Sequence, residues 1–435
     1  MLSLILSIAY ILCIYCVGRA ALKFLGKGAD AAVAFALGCG ILSTALFWAS
    51  LAGVRPTRVC VLIGTLLLSG IFFWAARISR QEVFIEEKKS GRIFLLPVLI
   101  GLAVVTYTSV VVPMDEWDAM AIWGLKAKVV YQEPVRAASY FHDPAKSYSH
   151  VDYPLGLPFL TAGLYGILGG YENTWGKAVL PCIYLAFVFL PLGFLTEKLG
   201  RPAAGALTAA AAVTPAVIRW AGAGTADCVL MMYVTGTLIF LARWIEGGPR
   251  SDMALAILFS AFGVFTKNEG LPIVLALGIS VGLAAPPGRR RGAVIYAAGV
   301  LVLSLPWLLF LQTLPQTKEN YWARAAVGQI IPHLDRLGVI LPAWAAEAVQ
   351  FKNWSGTWLI LAASAAVGAR AFMEGSTRFL WFALLQIFAV YVLAYVVTPY
   401  DVNHLMSVSL TRLSLHLLPA AILLTGAHLG AFLKH

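Results

Sequence analysis

The sequence predicts an all-α polytopic membrane protein of about thirteen transmembrane helices, and three observations carry that reading. Of its 435 residues, 60% are hydrophobic and 12% charged, whereas soluble domains are roughly half apolar and about a quarter charged. Mean hydropathy is +0.81. Apolar runs approaching the ~20 residues needed to cross a bilayer recur along the whole chain. A soluble fold of this composition would lack the polar side chains to cover its surface, which excludes soluble nucleotide-binding enzymes, β-barrel porins and disordered scaffolds. The 32 Lys and Arg outnumber the 21 Asp and Glu, for a net charge of +11. The basic residues stand at the ends of apolar runs, where they anchor topology, so no nucleic-acid partner is expected.

In chain order the expected spans are 2–17, 31–54, 59–76, 93–112, 178–195, 203–218, 226–242, 253–266, 271–285, 293–311, 354–369, 379–397 and 413–433. The first lacks a basic leader and a small-residue cleavage site, so it reads as a retained helix. The six cysteines fall in or beside apolar segments and imply no disulfide framework. Assigning alternate connections to the two sides puts 18 of the 32 basic residues on one side, all in short segments such as Arg289-Arg290-Arg291 and the stretch holding Arg77, Arg80, Lys88, Lys89 and Arg92. The positive-inside rule makes that side cytoplasmic. Two long loops, 113–177 and 312–353, then face outward. The apolar stretch 154–169, broken by Pro154 and Pro158, is short for a span. If it crossed, Arg289 to Arg291 would face outward, so it is expected as an interfacial helix within the first outer loop.

Polar groups at membrane depth are expensive, which makes their location a pointer to function. Thirteen of the acids, Glu319 among them, map to the outer side. After the fourth span comes Pro113-Met114-Asp115-Glu116-Trp117-Asp118, then apolar residues at helical spacing through Lys128. This pattern starts a helix at the membrane surface, with Asp115 and Asp118 on one face. A plainer reading makes Asp115 a helix cap and the other acids partners of the helix's positive end. Further outer sets are His150-Val151-Asp152-Tyr153, Asp227 at the start of the seventh span, and the tight turn Thr266-Lys267-Asn268-Glu269-Gly270. The segment from His404 leads to Arg412, with His416 one helical turn on. An Arg at membrane depth calls for an anionic partner, and a phosphate suits its planar fork. No Walker A or Rossmann fingerprint is present, and the seven histidines lack metal-ligand spacing. From the residues alone the chain has an outward-facing active site or a transport vestibule.

At these positions the chain resembles membrane glycosyltransferases of the GT-C superfamily, in the family 39-like branch of protein O-mannosyltransferases and the lipid A aminoarabinose transferase. Asp115-Glu116 matches the Asp-Glu that opens the first outer loop of that family. Trp117-Asp118-Ala119, Ile122-Trp123 and Leu125 to Lys128 are similar to a bacterial subgroup of it. So are Asp152-Tyr153-Pro154, Ala226-Asp227, the Lys267 turn and the His404 to Arg412 segment, in order over about two thirds of the chain. Three additional helices precede the resembling part, which divides the chain into 1–92 and a catalytic module, 93–435.

The resemblance implies transfer of a monosaccharide from a polyprenyl-phosphate donor to a glycan or lipid acceptor, with inversion, on the extracytoplasmic face of a bacterial plasma membrane. It makes Asp115 the first choice and Asp118 the second for the catalytic base. Arg412 and Lys267 would neutralise the leaving lipid phosphate. Glu116, His150, Asp152, Tyr153, Asp227, Asn268, Glu269 and His404 would line substrate pockets. No cofactor is required, no metal ligands are assigned, and a divalent cation would be compatible with the acids. The competing expectation is a secondary transporter or flippase of a lipid-linked or anionic substrate, for which inverted repeats and midplane charges are the usual signs.

Overall fold

A computed structural model describes residues 1–78, 94–315 and 321–434. Arg80, Lys88, Lys89, Arg92, Glu319 and the first residue of the expected fourth span lie outside the described residues. Every regular element among the described residues is helical. Apolar side chains drive this arrangement, and in a bilayer only a helix satisfies its own backbone within one segment.

The N-terminal helices are α1 (Leu2–Phe24), α2 (Ala31–Leu51) and α3 (Arg58–Ile78). Asp30 starts α2 by accepting from the amides of Ala32 and Val33 at 3.0 and 3.1 Å. The α1–α2 crossing is close because both partners are glycine. A β-carbon on Gly18 would stand 1.7 Å from the Ala34 carbonyl oxygen, and one on Gly38 would stand 1.9 Å from that of Ile14. Small residues let helix backbones approach in this way in membranes.

The chain continues through α4 (Leu95–Val110), a π-helical stretch (Ala119–Gly124), α5 (Leu125–Gln132) and α6 (Gly156–Leu168). Then come α7 (Leu180–Phe189), α8 (Leu192–Leu199), α9 (Arg201–Ala212) and α10 (Pro215–Gly222). The last two meet at a 56° bend. Pro215 explains the break: it opens α10 at its first position and disfavours helical backbone at Thr214. Helices α11 (Asp227–Ile245), α12 (Arg250–Val264), α13 (Gly270–Ala284) and α14 (Gly292–Leu311) follow. Short helices α15 (Tyr321–Arg324) and α16 (Val327–Ile330), α17 (Leu337–Ala348) and α18 (Phe351–Trp354) fill the second long loop, before α19 (Thr357–Val367), α20 (Gly375–Val397) and α21 (Val402–Leu433).

Among the described residues, eight stretches are long and apolar enough to cross a membrane, or nine with the bent α9–α10 pair taken as one. Each of the thirteen expected spans contains helix. Those expected at 93–112, 253–266, 271–285 and 354–369 are only 16, 15, 15 and 11 residues long. The boundary expected at Leu413 is not seen: α21 is one helix of 32 residues that begins at Val402, so the segment from His404 to Arg412 is helical.

Helix α6 differs from a helix laid on a surface, because every residue from Gly156 to Ile167 is buried. The Gly156 amide donates to the Phe265 carbonyl at 2.7 Å, at the end of α12, while Arg58 at the start of α3 donates to the Ile167 carbonyl at 2.9 Å. Tyr10 of α1 donates to the Leu160 carbonyl at 2.8 Å. The helix stops at Gly169, which takes the left-handed conformation (φ +87°) common at helix ends. It therefore joins the N-terminal helices to the rest of the bundle. Helix α11 is the other centre of packing, buried along almost its whole length and set against α12, α20 and α21.

Candidate functional site

The contact of α11 with α21 brings Asp227, the first residue of α11, against Arg412 and His416. Arg412 lies ten residues into its helix, and its guanidinium links two acids. Nη1 donates to Asp118 Oδ2 at 2.5 Å, Nε donates to Asp227 Oδ2 at 3.0 Å, and Nη2 is 3.0 Å from the same oxygen. Asp118 stands just before the π-helical stretch Ala119–Gly124, a departure from α geometry that recurs at functional sites.

Lys267 approaches from the turn between α12 and α13. That turn is tight: the Gly270 amide donates to the Lys267 carbonyl at 2.9 Å, and a β-carbon on Gly270 would come within 2.3 Å of the Gly263 carbonyl oxygen. Lys267 Nζ donates to Asp227 Oδ1 at 2.8 Å and to Glu269 Oε1 at 2.6 Å. Burial opposes its charge, but the carboxylates of Asp227 and Glu269 outweigh burial and hold its pKa above the usual lysine value. Both oxygens of Asp227 are thus engaged and its side chain has 0% exposure. It acts as a buried counter-ion that fixes the spacing of Arg412 and Lys267.

Behind Asp227, His416 Nε2 lies 3.7 Å from Oδ1, and Nδ1 shares a 2.6 Å hydrogen bond with the Tyr391 hydroxyl of α20. In front, Trp220 of α10 places its ring 5.2 Å from the Arg412 guanidinium and 4.9 Å from that of Arg219. Arg219 is exposed and reaches Glu116 at 3.6 Å. The result is a compact set of two inner cations and three carboxylates, with a second Arg and its acid at the rim.

Of the residues expected from sequence, Asp118, Asp227, Lys267, Glu269 and Arg412 come together, and Glu116 stands at the rim. Asp115 is exposed, three residues before Asp118. Asn268 and His404 are exposed as well, and the His404 amide receives the cap from Asp401 at 2.8 Å.

His150, Asp152 and Tyr153 gather around Lys126, a fully buried lysine. Its Nζ donates to the carbonyls of His150 and Tyr153 and lies 5.4 and 5.9 Å from the rings of Tyr153 and Trp123. Burial lowers Lys126 to about 7, with Asp152 opposing the shift. The unfolded chain, with lysine near 10.4, binds a proton that the folded chain lacks between about pH 7 and pH 10. Stability should therefore rise with pH across that window. Melting midpoints of wild type and Lys126→Met, measured in detergent from pH 6 to 10, test this. The wild type should gain on the variant as pH rises, and a constant difference would show that Lys126 keeps its charge.

Sequence reasoning missed Trp220 and Tyr391; it placed His416 one helical turn from Arg412 and Lys126 within the resembling Leu125 to Lys128 stretch without giving either a role. Trp220 and Tyr391 are aromatic residues within apolar runs, and only the fold brings them beside Arg412 and His416. No group of three or more His, Cys, Asp or Glu among the described residues is arranged to hold a metal ion. Comparison with protein families, with curated proteins and with solved structures finds no match.

Proposed function

We propose that the protein is an inverting glycosyltransferase that moves a monosaccharide from a polyprenyl-phosphate donor to a glycan or lipid acceptor outside the cytoplasm. The observation that supports this most is the Arg412 bridge between Asp118 and Asp227, backed by Lys267. Transfer from a lipid phosphate needs a carboxylate to receive the acceptor's proton and cations to take the charge of the departing phosphate. This cluster holds both kinds of group within one salt-bridged network. The contacts described use three of the five N–H groups of Arg412, so its fork can also meet a phosphate oxygen.

In this reading Asp118 removes the proton from the acceptor hydroxyl as that oxygen bonds to the anomeric carbon and the bond from carbon to phosphate oxygen breaks. Polyprenyl phosphate leaves opposite the attacking oxygen, which inverts the centre. The Arg412 contact favours Asp118 over Asp115 as the base. Asp227 positions the cations, while Glu116 and Glu269 flank the substrate. The reading includes a thirteen-span topology with a GT-C-like core, an outward-facing site and a bacterial plasma membrane.

The test is turnover by purified protein in nanodiscs with a panel of radiolabelled polyprenyl-phosphate sugars, with and without lipid acceptors. Release of polyprenyl phosphate that depends on Asp118 would support the transferase. Movement of an intact donor across proteoliposomes without bond cleavage would replace it with a flippase.

A further inference from the structure

Helix α10 is short, opens with Pro215, and packs against α4, α7, α11 and α21. Its small residues make this closeness feasible. A β-carbon on Gly222 would fall 1.9 Å from Thr108 Oγ1 of α4. In its second turn Trp220 is 7% exposed and lies near two guanidiniums, the buried one of Arg412 and the exposed one of Arg219. Both are within the ~6 Å at which a cation is attracted to an aromatic face. The ring therefore makes a cation–π contact with both guanidiniums.

Ring packing does not account for the indole N–H. Trp220 Nε1 is buried and has no hydrogen-bond partner among the described residues, although buried polar groups are almost always paired. Trp123, Trp344 and Trp358 also have unpaired indole nitrogens, but Trp220 is the one set against Arg412. An indole N–H donates only, and so does a guanidinium. An unpaired donor on a ring whose centre lies 5.2 Å from a donor-only guanidinium suits an acceptor that carries negative charge.

We infer that Trp220 is a ligand-binding residue whose indole N–H donates to an oxygen of the same phosphate that Arg412 meets. This rests on the lipid-phosphate reading of the site and adds to it a neutral donor that recognises the phosphate and a ring in cation–π contact with Arg412.

The experiment uses the full chain with ¹⁵N-labelled tryptophan indoles in zwitterionic nanodiscs, the Trp220 resonance being assigned as the one missing from Trp220→Phe. A short-chain polyprenyl phosphate and inorganic phosphate are titrated separately. The Trp220 N–H resonance should move downfield on saturation. A shift with the lipid alone assigns a lipid headgroup, and a shift with both assigns the phosphate group itself. Trp220→Phe should weaken polyprenyl phosphate binding about tenfold or more, the scale of a hydrogen bond to a charged group. Its melting midpoint should fall only modestly, because Phe keeps a ring beside Arg412 and no hydrogen bond within the protein is lost.

A strongly lowered midpoint with unchanged binding would overturn the inference and make the N–H structural. If Trp220→Phe binds like wild type while Arg412→Ala does not, Trp220 is excluded and the phosphate site stands. If wild type binds no polyprenyl phosphate at all, the underlying reading falls as well.

Discussion

Asp118→Asn is expected to lower sugar transfer by about 10²- to 10⁴-fold, the contribution of a positioned general base, with little change in donor binding or stability. The substitution is nearly isosteric, so an amide oxygen can still accept from Arg412 Nη1. Asp227, the fully buried acid, keeps both of its cations. The ion pair with Arg412 becomes a hydrogen bond to a neutral acceptor, and the capacity to take a proton from the acceptor hydroxyl is lost. Asp115→Asn serves as the control, because that side chain is exposed and should change the rate less than tenfold. Steady-state rates for the two variants, with polyprenyl phosphate affinity measured in parallel, decide the matter. A reversed order of effects would move the base to Asp115, and wild-type rates in both would remove the mechanism.

Arg412→Ala should have the second large effect, on both stability and donor recognition. Breaking a buried ion pair by removing one partner costs about 3–5 kcal/mol, because the remaining charge is left without compensation. Here Lys267 still reaches Asp227 at 2.8 Å, which places the expected loss near the lower end, about 3 kcal/mol. Adding Asp227→Asn to Arg412→Ala should restore only part of that stability, since it removes the under-compensated carboxylate but leaves the buried Lys267 with Glu269 as its acid. It should not restore donor binding. Arg412→Lys keeps the charge but not the planar fork that spans Asp118 and Asp227, so it should fall between the two. Chemical denaturation in detergent together with the KM for the donor checks each step. A double variant that regains activity along with stability would show that Arg412 has only a structural part.

The helical class and the polar turns were legible because they depend on local pattern. Thr266-Lys267-Asn268-Glu269-Gly270 reads as a tight polar turn between two apolar runs, and it folds as one. The order of the acids also pointed to one mouth. Three things were not legible, each for a physical reason. The burial of α6 depends on glycine contacts with α2–α3, α12 and α1 that lie far away in sequence. The continuation of α21 back to Val402 was hidden by polar residues such as His404 and Arg412, which lower hydropathy without interrupting a helix. Which of Asp115 and Asp118 pairs with Arg412 was undecidable from spacing, since both lie on one face of a helix start. A partner 294 residues away separates them, and only Asp118 touches Arg412.

That separation has a bearing on how the chain is made. Asp118, Asp227 and Lys267 leave the ribosome well before Arg412, and in the meantime Asp227 has Lys267, itself shared with Glu269, as its cation. A buried carboxylate short of one cation is an unfavourable guest in a membrane. Arrival of α21 removes that penalty, so ion pairing at the site and completion of the helix bundle are one assembly event. A chain that ends before residue 412 would leave the buried Asp227 short of one cation and the bundle without most of α21.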